Sequence, residues 1–250
     1  MAGVSGSSVA DAASVGSVLI PEMKRKKYDA SFAAAINATS SVVGIIIPPS
    51  STMIIIAWLA NLSVAKMFLA GIIPGILIGL SYLAVTVIMS IKRGYPRENR
   101  ATIKEIAKTL LNAFWALLLP LILMGTIIFG IATATEAAAI SAIYAFIIAF
   151  FVYKTLSWKG FLNALRDSVI GTTVVMMIVC AASIFTWVLI QEGIPRLISD
   201  TLLGFGMPNW LLLFVMVLIM FLFGMVMDLV PNLFIFIPIF MPIATEMGMD

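Results

Sequence analysis

The sequence predicts an all-α integral membrane protein in which full crossings alternate with a broken helix and re-entrant helical hairpins. Three observations carry that prediction. The 250 residues are 62% hydrophobic and 11% charged, with a mean hydropathy of +1.13, whereas soluble domains hold roughly 45–50% apolar and about 25% charged residues. Long uncharged runs follow: 36 residues between Asp29 and Lys66, 25 between Lys66 and Lys92, and 27 between Lys108 and Glu136. A crossing helix needs about 20 apolar residues. Finally, Pro48-Pro49 and Asp228 each interrupt an apolar stretch where a plain crossing would carry neither. The composition excludes a disordered chain, a disulfide scaffold and a nucleic-acid binder. The absence of His excludes histidine chemistry, and Cys180 has no internal partner.

The cations set the threading, because cytoplasmic loops collect Lys and Arg. Lys24-Arg25-Lys26-Lys27 form one cluster. Lys92, Arg93, Arg97, Arg100, Lys104 and Lys108 form a second, and Lys154, Lys159 and Arg166 a third. Placing all three on the same side requires two crossings between neighbours. Segments 29–60 and 67–91 supply the first pair, and 113–132 and 135–153 the second. Segment 168–190 then leads out again. Residues 98–112 and 157–167 read as separate amphipathic helices on the cytoplasmic surface, anchored to lipid by positions such as Ile103, Ile106, Leu110, Phe161 and Leu165.

Two pieces are not simple crossings. Residues 1–23 are rich in Gly, Ser and Ala and return the chain to the first basic cluster. Residues 210–246 run apolar to Met227, meet Asp228, Pro231 and Asn232, and run apolar again to Glu246. This reads as a hairpin entering and leaving on one side, with Asp228 at its tip. A carboxylate is expensive in lipid, so Asp228 is a functional candidate. Aligning Pro21-Glu22-Met23 with Thr245-Glu246-Met247 sets the serines at 5–8 over residues 229–232. Opposed half-hairpins are what an inverted repeat leaves in a sequence.

Residues 44–50, Gly-Ile-Ile-Ile-Pro-Pro-Ser, lie in the middle of the longest uncharged run. Paired prolines remove two donors and push the residues before them out of helical geometry. The helix at 29–60 is therefore expected to break near its midpoint. Its broken ends expose carbonyls suited to a hard cation and N–H groups suited to an anion. Gly71, Gly75 and Gly79 form a small-residue face for close helix packing. Thr133, Thr135 and Glu136 carry ordinary helix-start chemistry, and Asp11 is positioned to cap or pair near the first hairpin.

These residues carry a resemblance. Ser5-Gly6-Ser7-Ser8-Val9-Ala10-Asp11-Ala12, Gly16-Ser17 and Ile20-Pro21-Glu22-Met23 resemble the first re-entrant hairpin of the large membrane subunit of TRAP (tripartite ATP-independent periplasmic) transporters. The pattern continues through Tyr28-Asp29, Phe32-Ala33-Ala34-Ala35 and Ile46-Ile47-Pro48-Pro49-Ser50. It resumes at Phe68-Leu69-Ala70-Gly71-Ile72-Ile73-Pro74-Gly75 and at Thr135-Glu136-Ala137-Ala138-Ala139. It ends with Gly224 and Asp228 through Pro238 and Pro242, so it covers essentially the whole chain.

The resemblance implies an elevator-type, inverted-repeat secondary transporter in a bacterial inner membrane. Sodium would drive import of an organic acid, such as a C4-dicarboxylate or a sialic acid. A periplasmic binding protein would deliver the acid, and a small (Q-type) membrane subunit would partner the large one. Carried over by position, Ser5 and Ser7 with the backbone of Gly44, Ile47 and Pro48 would frame a sodium site. Ser5, Ser50 and Asp228 would face the substrate. Asp11, Thr135, Glu136, Gly224 and Asn232 are further candidates. No cofactor beyond the coupling ions is implied.

The expected organisation is a first hairpin arm and broken helix over 1–60, a crossing and cytoplasmic connection over 61–112, and a second repeat through its hairpin over 113–250. Within the family pattern the chain reads as an internal segment. It begins at the first hairpin tip and stops before a second broken helix. Three other classes compete: an ion-coupled carboxylate transporter outside the TRAP group, a passive channel or scaffold, and an intramembrane aspartyl hydrolase using Asp11 and Asp228.

Overall fold

A computed structural model describes residues 8–96 and 102–248. Ser5, Ser7, Arg97 and Arg100 lie outside the described residues. Helices α1 (Ser8–Arg25), α2 (Ala30–Ser41), α3 (Ser51–Leu59), α4 (Val64–Lys92), α5 (Ile103–Ile128) and α6 (Ala134–Ile147) come first. They are followed by α7 (Trp158–Gln191), α8 (Ile194–Gly204), α9 (Asn209–Gly224) and α10 (Leu229–Glu246). No strand occurs among the described residues. Five helical segments are long and apolar enough to cross a membrane: Val64–Lys92, Ile103–Ile128, Ala134–Val152, Trp158–Gln191 and Leu229–Glu246. The chain is an integral membrane protein. It divides into two compact units, one of residues 1–57 and 62–156, the other of 58–61 and 157–250.

In the first unit α1 and α2 form a helical hairpin. Lys27 takes the left-handed conformation (φ 63°) that turns the chain between them. The two helices approach closely at Gly16, where a Cβ would stand 2.5 Å from Asn37 Nδ2. The same Nδ2 donates to the Ala12 carbonyl at 2.8 Å. A side-chain amide thus bonds the backbone of one helix to the other, with no Cβ between them.

At the turn end of this hairpin, Asp29 pairs with Arg93 at 3.1 Å and accepts the Tyr95 hydroxyl at 2.7 Å. Tyr28 and Tyr95 stack at 4.4 Å, and Arg93 lies over the Phe32 ring at 5.2 Å. The hydrogen bond to Tyr95, with Asp29 behind it, holds the Arg93 guanidinium above its ordinary range. The first basic cluster and the start of the second therefore lie at the same end of the unit, as the charge pattern requires.

Helix α4 packs against the segment following α2. The glycine face predicted for packing meets it directly. A Cβ on Gly71 would strike Met53 and stand 2.8 Å from the Ile46 carbonyl oxygen. One on Gly75 would stand 2.6 Å from Ile47 Cγ1. Phe68, Met53, Ile127 and Ala137 form the buried cluster beside this contact, with Ile46 packed on it.

Helices α5 and α6 pair through a short turn in which Gly130 has φ 67°. A π-helical turn, Ile148–Val152, continues α6. Beyond it, the Tyr153 hydroxyl donates to the Asn112 carbonyl at 2.7 Å and receives the Ala116 N–H at 3.4 Å. A phenol thus inserts into the hydrogen-bond ladder of α5.

The structure corrects two boundaries. The predicted surface helices at 98–112 and 157–167 are not separate: α5 runs unbroken from Ile103 and α7 from Trp158. Neither junction contains Gly or Pro, and both helices start at N-caps, Thr102 and Ser157. At 26 and 34 residues they extend about 39 and 51 Å. The hydrocarbon core is about 30 Å thick, so their polar ends project past it.

In the second unit α10 carries the core. Its Phe236, Ile239, Phe240 and Ile243 pack with Leu212 and Met216 of α9, and α8 adds Ile198 and Leu202. Helices α9 and α10 form a hairpin, of 16 and 18 residues, joined at residues 225–228.

Candidate functional site

Two separate regions carry the predicted site residues. The first is the break between α2 and α3. Helix α2 ends at Ser41, and a 3₁₀ turn, Val42–Ile45, follows. Residues 46–50 are non-helical, and the Pro48-Pro49 bond is cis. The Ile46 and Ile47 N–H groups both reach back to the Val43 carbonyl, at 3.1 and 2.9 Å. Gly44, Pro48, Pro49 and Ser50 are buried, and Ile47 is half-buried.

Ser50 closes the gap. Its hydroxyl donates to the Ile45 carbonyl at 2.7 Å and accepts the Met53 N–H at 3.4 Å, which makes it the cap of α3. The helix interruption read from the two prolines is therefore present, and this serine bonds across it. Among the described residues no three His, Cys, Asp or Glu converge. The break itself offers carbonyl and hydroxyl oxygens, the donors hard ions prefer.

Asp11 belongs to the same unit. It is 3% exposed in the first turn of α1, and its Oδ2 has no hydrogen-bond partner. Asn37, 6% exposed, was missed by the sequence reading. Its signal was an amide in the middle of an uncharged run of 36 residues. Thr135 and Glu136 lie exposed at the start of α6, next to Ala137, which joins the cluster of Met53 and Phe68. The Glu136 carboxylate accepts the Thr133 N–H and hydroxyl, both at 2.8 Å, and Thr133 Oγ1 accepts the Glu136 N–H at 3.3 Å. This is a reciprocal helix cap.

The second region is the tip of the α9–α10 hairpin. Gly224 ends α9, and Asp228 is the exposed N-cap residue of α10, with no side-chain cap bond. Pro231 and Asn232, read as part of the tip, occupy the first turn of α10 instead. Proline is tolerated there because first-turn N–H groups have no helical partner. Gly224, Asp228 and Asn232 line one pocket of about 440 Å³. Asn232 is 6% exposed; its Nδ2 reaches the Met220 carbonyl at 3.4 Å, and its buried Oδ1 has no partner. A helix N-terminus and a free carboxylate thus meet at one cavity, with the buried Asn232 amide in its wall. Such a site offers donors to an anion and acceptors to a hydroxyl, an ammonium or a cation.

Comparison with known proteins matches these features to a family. The model of the tripartite ATP-independent periplasmic transporter, DctM component, matches residues 1–250. The 2,3-diketo-L-gulonate TRAP transporter large permease protein YiaN of Escherichia coli is 35% identical over the whole chain and 59% of its own length. The sialic acid TRAP transporter large permease protein SiaM of Vibrio cholerae is 36% identical over 99% of the chain and 58% of its own. The C4-dicarboxylate TRAP transporter large permease protein DctM of Pseudomonas aeruginosa is 36% identical over 100% and 58%. The chain thus spans about three-fifths of the length of these relatives. They are named as transporter permeases, and theirs is not an enzyme family. The chain belongs to the DctM component family of tripartite ATP-independent periplasmic transporters.

Proposed function

We propose that the protein containing this chain is the large membrane subunit of a secondary importer of organic acids, located in a bacterial inner membrane. Sodium is the coupling ion, a periplasmic binding protein delivers the substrate, and a small membrane subunit completes the complex. The related permeases are named for 2,3-diketo-L-gulonate, sialic acid and C4-dicarboxylates, which are all carboxylates. That shared chemistry supports an organic acid here.

The observation that carries the reading is the buried break at residues 44–50. A helix interrupted at mid-membrane is tolerated only where it is packed in protein or lines a cavity. Here α4 packs on one side, and Ser50 bonds across the gap. Carbonyls of Gly44, Ile47 and Pro48, with the hydroxyls of Ser5 and Ser7, would coordinate sodium. Ser5 and Ser50, and independently Asp228, would contact the substrate, and transport would follow an elevator movement.

The test is sodium-dependent uptake into proteoliposomes holding the complete complex. Changing Pro48 and Pro49 together to Ala restores two backbone donors and should raise the sodium concentration for half-maximal uptake at least tenfold. Unchanged sodium dependence in a variant of normal abundance would refute the ion-site assignment.

A further inference from the structure

We propose that the α1–α2 turn and the end of α4 form a binding site for an anionic phospholipid, with a cationic headgroup pocket above an aromatic and apolar groove.

Arg25, Lys26, Lys27 and Pro96 line a concave pocket of about 290 Å³. The left-handed Lys27 places three consecutive cations around one hollow rather than along a helix face. Among the described residues, the two carboxylates nearest in sequence are already engaged. Glu22 pairs with Arg25 at 3.2 Å and Lys26 at 3.8 Å, and four cations stand together at residues 24–27. Asp29 is taken by Arg93 and Tyr95.

Pro96 also lines a second pocket, of about 380 Å³. Its walls are Tyr28 and Tyr95 at the turn, then Thr86, Val87, Ser90 and Ile91 along the last turns of α4. The cationic hollow thus shares Pro96 with a groove lined by two tyrosines and by the end of a candidate crossing helix. Tyrosine is the residue expected at the level of headgroups.

Charge complementarity selects the occupant. A free phosphate would satisfy the cations but leave the groove unfilled. A zwitterionic lipid would fill the groove but bring no net charge to the hollow. An anionic phospholipid satisfies both. Basic pockets at the cytoplasmic ends of membrane helices bind such headgroups, and the charge pattern puts this end inside. The site is separate from the break at residues 44–50 and does not depend on what is transported.

The test titrates the complete protein in detergent with phosphatidylglycerol, phosphatidylcholine or glycerol 1-phosphate, reading bound ligand by native mass spectrometry. Phosphatidylglycerol should bind at least tenfold more tightly than either of the others, and the preference should shrink as salt rises. Arg25→Gln with Lys27→Gln should weaken it about fivefold per cation removed, since a basic side chain near such a surface contributes about 1 kcal/mol. Arg25→Lys with Lys27→Arg should preserve binding, which separates lost charge from lost folding. Equal binding of the two lipids, equal binding of glycerol 1-phosphate, or an undiminished preference in the Gln variant would each overturn the proposal.

Discussion

The Thr186 hydroxyl on α7 donates to the carbonyl of Phe234 on α10 at 2.9 Å. Phe234 lies four residues before Pro238, whose nitrogen has no hydrogen to return. The carbonyl that proline deprives of its helical partner is thus served by a threonine 48 residues away. This is how a membrane helix tolerates an internal proline, since a carbonyl facing hydrocarbon has no water to turn to.

That relationship predicts the effect of removing the hydroxyl. Thr186→Val should destabilise the complete protein by about 1 kcal/mol, the range for one such bond. Thr186→Ser should not. Adding Pro238→Ala to Thr186→Val restores a backbone donor, so the double variant should recover part of the loss. Thermal unfolding in detergent measures all three, and a cycle showing strict additivity would contradict the pairing.

The glycine face of α4 predicts graded costs. Gly71→Ala would push a methyl group against Met53 and the Ile46 carbonyl, and it should lower stability by about 1–3 kcal/mol, as overpacking does. Gly79→Ala, whose Cβ would meet only Val43 at 4.0 Å, should be neutral or slightly stabilising, since Ala favours helix. Equal melting temperatures for the two variants would contradict the packing described.

Thr133→Ala removes the α6 cap and should cost about 1 kcal/mol. Glu136→Gln keeps an acceptor at the same position and should leave stability nearly unchanged, because Gln serves the same reciprocal cap. If Glu136→Gln nevertheless loses uptake at full stability, the carboxylate has a role in transport beyond capping.

Asp228→Asn tests the hairpin tip. The carboxylate is exposed and makes no cap bond, so the substitution should change the melting temperature little. Uptake by the complete complex should fall at least tenfold, with membrane abundance unchanged. A variant that transports normally would remove Asp228 from the substrate site.

Much of this architecture was legible in the chain. The uncharged runs placed the apolar helices, the paired prolines located the break, and the glycine spacing announced a packing face. Each rests on local chemistry: a missing N–H, a missing Cβ or a stretch without charge acts on its immediate neighbours whatever the rest of the fold does. The partners of these features were a different matter. Asn37 bonding Ala12, Ile46 and Ile47 seated on the α4 glycines, and Thr186 serving Phe234 all join residues at least 25 apart. The inserted Tyr153 hydroxyl and the unbroken course of α5 and α7 were equally hidden. In a soluble protein, amphipathic periodicity would have marked the packed faces. Here lipid and protein interior are both apolar, so the faces look alike in sequence, and only the folded packing of one helix against another decides which contacts are made.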